Sequence, residues 1–130
     1  KVAKINSINM KISEKVNFIV SDWTKSIQGK FDIIISNPPY IKSNQIKNLQ
    51  KEVKYYDPVL ALDGGEDGLD CYKLIIENIT KLMNKNSFLI FEIDFWQGDK
   101  IIDLSQENNL KFLSMKKDLS GQDRCLIFNY

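Results

Sequence analysis

The sequence predicts an α/β fold built on a mostly parallel sheet, and three observations carry that prediction. Residues 31–36 and 88–93 are apolar almost throughout, as in strands covered on both faces. Between and beyond them, apolar residues recur at helical spacing, so strands and helices alternate along the chain. The last two apolar runs, 110–115 and 125–128, are joined by a short polar turn, which makes the final strand antiparallel to its neighbour.

Taken in order, Val2, Ile5, Ile8 and Met10 fall on one face of an opening helix. Residues 16–20 read as a short strand, 21–24 as a loop, and Gln28-Gly29-Lys30 as the turn into the strand at 31–36. A polar stretch follows, with one short helix expected around 45–52 and a stop at Asp57-Pro58. The glycine-rich turn 63–68 leads into the strongest helical pattern, with Leu69, Tyr72, Ile75, Ile76, Ile79, Leu82 and Met83 on one stripe. Acids at Glu66, Asp67 and Asp70 and lysines at Lys81 and Lys85 suit its dipole. A strand at 88–93, a helix at 98–108 and the two closing strands complete the pattern. With no repeat, low-complexity segment or linker, residues 1–130 read as a single domain.

The 43% hydrophobic content is enough for one core, and a formal net charge of +1 gives no support for broad nucleic-acid binding. Cys71 and Cys125 lack metal-ligand spacing and the chain has no histidine, so no metal site is expected. No membrane-length apolar run or leader is visible, and two separated thiols fit a reducing, cytoplasmic setting.

The segment with chemical content is Ser36-Asn37-Pro38-Pro39-Tyr40-Ile41, at the end of the 31–36 strand. Two prolines remove two N–H groups and fix φ near −65°, and the first holds Asn37 extended. An Asn oxygen, carbonyls without neighbouring amides and the face of Tyr40 remain. Such a corner accepts two hydrogen bonds from a planar NH2 group and covers its plane. An amide or aromatic amine is a weak nucleophile, and alkylating it requires an electrophilic methyl in line with its lone pair. Positive charge grows on the nitrogen as the bond forms, so acceptors at Asn37 and Pro38 bind the transition state more tightly. The plainer alternative is a rigid strand-to-loop turn. Placement at the carboxyl end of a buried strand favours the functional reading, because ligands of open α/β sheets bind there.

These residues resemble the substrate motif of the class I S-adenosylmethionine-dependent amino-methyltransferases. Residues 56–69 (Tyr56-Asp57-Pro58 through Gly68-Leu69), Phe91-Glu92-Ile93 with Gln97-Gly98, and 117–124 further resemble the release factor glutamine methyltransferases, the HemK/PrmC family. The resemblance spans essentially the whole chain. It implies methylation of the glutamine amide in the Gly-Gly-Gln loop of peptide chain release factors, with S-adenosyl-L-methionine as donor. Asn37 and Pro38 would then orient the glutamine NH2, Tyr40 would pack on the amide plane, and Pro39 would shape the backbone. Asp22 matches the position that meets the cofactor's adenine amino group, Trp23 a neighbour lining that site, and Asn37 would border the cofactor as well as the substrate. Without the resemblance, Asp22 reads as a helix N-cap and Trp23 as an ordinary partly buried aromatic.

The chain also departs from the family. The opening strand with its glycine-rich turn and the second strand ending in an acid are both missing. The chain therefore reads as the carboxy-terminal part of a Rossmann-like methyltransferase catalytic domain, lacking the first two strands and incomplete as a cofactor site. The family's sheet order places the missing strands between 16–20 and 31–36. An orphaned first strand is expected, together with an exposed edge along 31–36 open to self-association. Gly64-Gly65-Glu66-Asp67-Gly68 follows no strand and carries two acids, so it reads as a helix-entry turn. Asp94 stands where a small residue is expected and reads as a solvated loop acid. A nucleic-acid amino-methyltransferase shares Asn-Pro-Pro-Tyr and stays open as an alternative, as does a non-catalytic folded fragment.

Overall fold

The computed structural model describes residues 1–130. Its sheet consists of β1 (Phe31–Ser36), β2 (Met83–Glu92), β3 (Lys111–Lys117) and β4 (Asp123–Asn129), in the order β1-β2-β4-β3. β1 pairs parallel to β2, with Ile34 opposite Leu89 and Ser36 opposite Phe91. β4 is antiparallel to both neighbours. Three strands thus point one way and β4 the other. The carboxyl ends of β1, β2 and β3 lie along one margin of the sheet, with the β3–β4 turn.

Helices α3 (Asp70–Ile79) and α4 (Gly98–Glu107) supply the apolar cover. Tyr72, Ile75, Ile76 and Ile79 from α3 and Ile101 from α4 join Leu89, Phe91, Ile93, Leu126 and Phe128 in one buried cluster. Within it Tyr72 meets Phe91 edge-on at 5.2 Å, and Phe91 meets Phe128 at 6.3 Å. Full burial of one such ring contributes roughly 1.5–3 kcal/mol. The α3 stripe is as read, except at its end. The helix stops at Ile79, one 3-10 turn covers Thr80–Leu82, and Met83 already belongs to β2.

Several expectations need correction. The central strands are covered on one face only: Leu89 and Phe91 are fully buried, while Phe88 and Ile33 on the other face are 39% and 58% exposed. Residues 16–20 form no strand. Their apolarity suits a strand, but a strand exists only where a neighbour completes its hydrogen bonds, and Val20 stands 98% exposed. The helix expected at 45–52 is two pieces, a 3-10 segment at Ser43–Asn48 and α2 (Lys51–Tyr56), with Leu49 and Gln50 extended between them. The opening helix, α1 (Val2–Asn9), exposes Val2, Ile5 and Ile8, so its apolar face covers no core. β1 forms one margin of the sheet, and its outer backbone groups pair with no strand.

Candidate functional site

Asn37 is the first residue beyond β1, at the level of Glu92 on the neighbouring strand. Its side chain is exposed and makes no hydrogen bond within the protein, so its oxygen is free. Pro38 is buried, and its carbonyl accepts no backbone hydrogen bond. Asn37, Pro38, Pro39, Tyr40 and Ile41 line a cleft of about 200 Å³ together with Ala61 and Leu62. The structure therefore brings all four residues of the motif to one opening.

Tyr40 is half-buried against the core, and its phenol donates to Glu92 Oε1 at 3.5 Å. Burial first, and then the Glu92 carboxylate, raise the Tyr40 pKa, so the ring is neutral at physiological pH. Glu92 is itself positioned from behind, where its backbone carbonyl accepts the Tyr72 hydroxyl at 2.7 Å. Arg124 donates to the next carbonyl, Ile93 O, at 2.8 Å and to Asp118 Oδ2 at 3.3 Å. The strand end beneath the cleft is thus fixed by a phenol and a guanidinium.

The turn at 63–68 enters α3 and also clasps the motif, a role its sequence does not disclose. Ile41 N–H donates to Leu62 O at 3.1 Å, and Gly64 N–H donates to Ile41 O at 2.8 Å. The Asp63 carboxylate accepts Ser43 Oγ–H at 2.7 Å and Gly65 N–H at 2.9 Å. The Ser43 bond, then the Gly65 bond, lower its pKa. At Gly64 a side chain would collide with the backbone of Pro39 and Tyr40. The only signal in the sequence was a glycine where a helix-entry turn does not demand one.

Asp22 and Trp23 sit apart from this cleft. The Asp22 carboxylate pairs through Oδ2 with Lys25 and is largely exposed. It caps no helix; Ser21 Oγ accepts the Ser26 N–H instead. Trp23 has a φ of +50° and lines an apolar cavity of about 330 Å³ with Ile27, Ile34 and Ile75. Asp22 does not line that cavity, and its carboxylate is taken up by Lys25. In the glycine-rich turn, Gly64 and Gly68 are packed against Tyr40 and leave no cradle there. Asp94 is not a free loop acid: it accepts from Phe95 N–H and from Trp96 Nε1–H, each at 2.8 Å. No cluster of three metal-ligating side chains is present, and no helix is long and apolar enough to cross a membrane.

Residues 2–115 match the family model described as Eco57I restriction-modification methylase. The chain belongs to that methylase family. Curated relatives carry the name release factor glutamine methyltransferase, as the resemblance implied. The Rhodospirillum rubrum protein is 39% identical over 98% of this chain and 39% of its own length. The Agrobacterium fabrum protein is 36% identical over 98% of this chain and 44% of its own. A bifunctional methyltransferase of Rickettsia felis is 32% identical over 99% of this chain and 25% of its own length. The chain thus spans less than half the length of these relatives. Among solved structures, the ribosomal protein L11 methylase of Lactobacillus delbrueckii superposes with a TM-score of 0.66 at 18% identity, covering 98% of this chain and 50% of that one. A methyltransferase from Pyrococcus furiosus gives 0.55 at 18% identity, covering 79% and 42%. The four-stranded sheet is accordingly a partial class I methyltransferase fold, and the methylase family's chemistry is methyl transfer.

Proposed function

We propose that this chain is the substrate-facing part of an S-adenosylmethionine-dependent enzyme that methylates the side-chain nitrogen of the Gly-Gly-Gln glutamine in peptide chain release factors. The observation that carries the reading is the free Asn37 oxygen opening onto the cleft beside Tyr40. The bound cofactor would supply an electrophilic methyl, with Asp22 and Trp23 at its adenine end. Asn37 Oδ1 and the Pro38 carbonyl each accept one N–H of the glutamine NH2, which fixes the direction of the nitrogen lone pair. The Tyr40 ring covers the amide plane and keeps water from it. As the nitrogen gains positive charge both acceptors tighten, and the surplus proton becomes acidic only after attack, so no histidine is required. Names of the curated relatives support glutamine over a nucleobase.

The test uses the intact protein encoded by the gene, with labelled methyl donor and three acceptors: release factor, DNA and RNA. Label is expected in release factor alone. Label in either nucleic acid, with none in release factor, would replace this reading by the nucleobase one.

A further inference from the structure

Gln97 is a polar side chain with no exposed surface at all. A buried neutral amide is costly unless its donors and acceptor are used, and here they join three separate segments. Its Oε1 accepts the Asp94 N–H at 2.9 Å, in the loop after β2. Its Nε2 donates to Gly68 O at 2.8 Å and to Tyr40 O at 3.4 Å, in the glycine turn and the substrate loop. These two partners lie 29 and 57 residues away in sequence. Gly68, at a φ of +75°, leaves no room for anything else there: a Cβ would stand 2.6 Å from Tyr40 O and 3.1 Å from Gln97 Nε2.

We infer that Gln97 is a positioning residue for methyl transfer: by holding the Tyr40 carbonyl it orients the Pro38–Tyr40 backbone so that the Asn37 oxygen and the Pro38 carbonyl face the cleft. The consequence for turnover rests on the proposed function; the consequence for the loop does not. Gln97 touches no substrate. It takes up the Tyr40 carbonyl, which the proposed chemistry does not use, and it couples the motif to the start of α4.

The experiment compares Gln97→Met and Gln97→Glu with the unmodified intact protein, by amide hydrogen exchange and by turnover with release factor. Met keeps the length and removes every polar contact of the side chain. Glu keeps the length and the acceptor for Asp94 N–H, and when ionised it repels both carbonyls. Exchange at Ile41 and Gly64 is expected to accelerate about tenfold or more, with Leu89 and Phe128 in the sheet changed by less than about twofold. Turnover is expected to fall about tenfold with KM for the methyl donor within about twofold. Unchanged exchange at Ile41 and Gly64 would overturn the inference, and so would an equal acceleration in the sheet, which marks a general loss of stability. If Gln97→Met fails to fold, Gln97→Glu decides by the same contrast. If the unmodified protein leaves release factor unlabelled, the proposed function fails while the exchange contrast still decides the role of Gln97.

Discussion

Replacing Gly64 by alanine adds one methyl group directly behind the substrate loop. That Cβ would stand 2.8 Å from Tyr40 Cα and 2.9 Å from both the Pro39 carbonyl oxygen and the Tyr40 carbonyl carbon. Ordinary carbon contacts lie at about 3.5–4.0 Å, so the loop must retreat by roughly 0.7 Å. All three opposing atoms are backbone, and no flexible side chain can absorb the motion. Overpacking of this kind costs about 1–3 kcal/mol, with each kcal/mol worth about 4 °C of Tm in a chain of this size. The effect on chemistry should be larger in proportion, because a misplacement of about 1 Å at reacting groups costs about a hundredfold. The assay pairs a thermal melt with turnover on release factor at a temperature where both proteins are folded. A loss of turnover between about tenfold and a hundredfold is expected, with the melt lowered by several degrees. Turnover within about twofold of the unmodified protein would refute the claim that the turn at 63–68 sets the shape of the motif.

Asn37→Ala should lower turnover by about a hundredfold, on the order of 3 kcal/mol for one preorganised acceptor, while leaving the melt unchanged; a destabilised protein would show that the side chain is structural. Asp63 is held ionised in the folded state with a pKa below its ordinary 3.8. Its contribution is therefore complete above that ordinary value and is lost as pH falls through the depressed one. Ser43→Ala removes the larger cause, so the acid-induced loss of the clasp, followed by Ile41 amide exchange, should begin at higher pH than in the unmodified protein. β1 leaves a free edge bearing Ile33 and Ile35, the latter 73% exposed, and such edges recruit further strands. The chain is accordingly expected to self-associate on sedimentation, and Ile33→Lys should shift it toward monomer; a monomer stable to concentration would contradict the expectation.

The parts of this molecule that the sequence discloses are those written in neighbouring residues. Consecutive prolines after an apolar run place Asn37 and Tyr40 beyond β1, and the stripe from Leu69 to Ile79 specifies α3 and the face it buries. What the sequence does not disclose depends on partners far along the chain. Residues 16–20 have a strand's composition but no adjacent strand, so they remain unpaired. Phe88 looks like a residue of a doubly covered strand, yet it stands 39% exposed. Asp63, Gly64 and Gln97 act on Tyr40 and Ile41 across tens of residues, and no local periodicity marks such contacts. Asp94, by contrast, pairs with Trp96 only two residues on, a contact within local reach of the sequence.

Hydrogen-bond geometry around a bound acceptor tests the proposed chemistry most directly. A crystal structure of the intact protein with a Gly-Gly-Gln peptide should place Asn37 Oδ1 and the Pro38 carbonyl oxygen each at about 2.7–3.2 Å from the glutamine amide nitrogen, with the Tyr40 ring over the amide plane. A glutamine bound elsewhere, or one whose amide oxygen faces the Asn37 NH2, would contradict it.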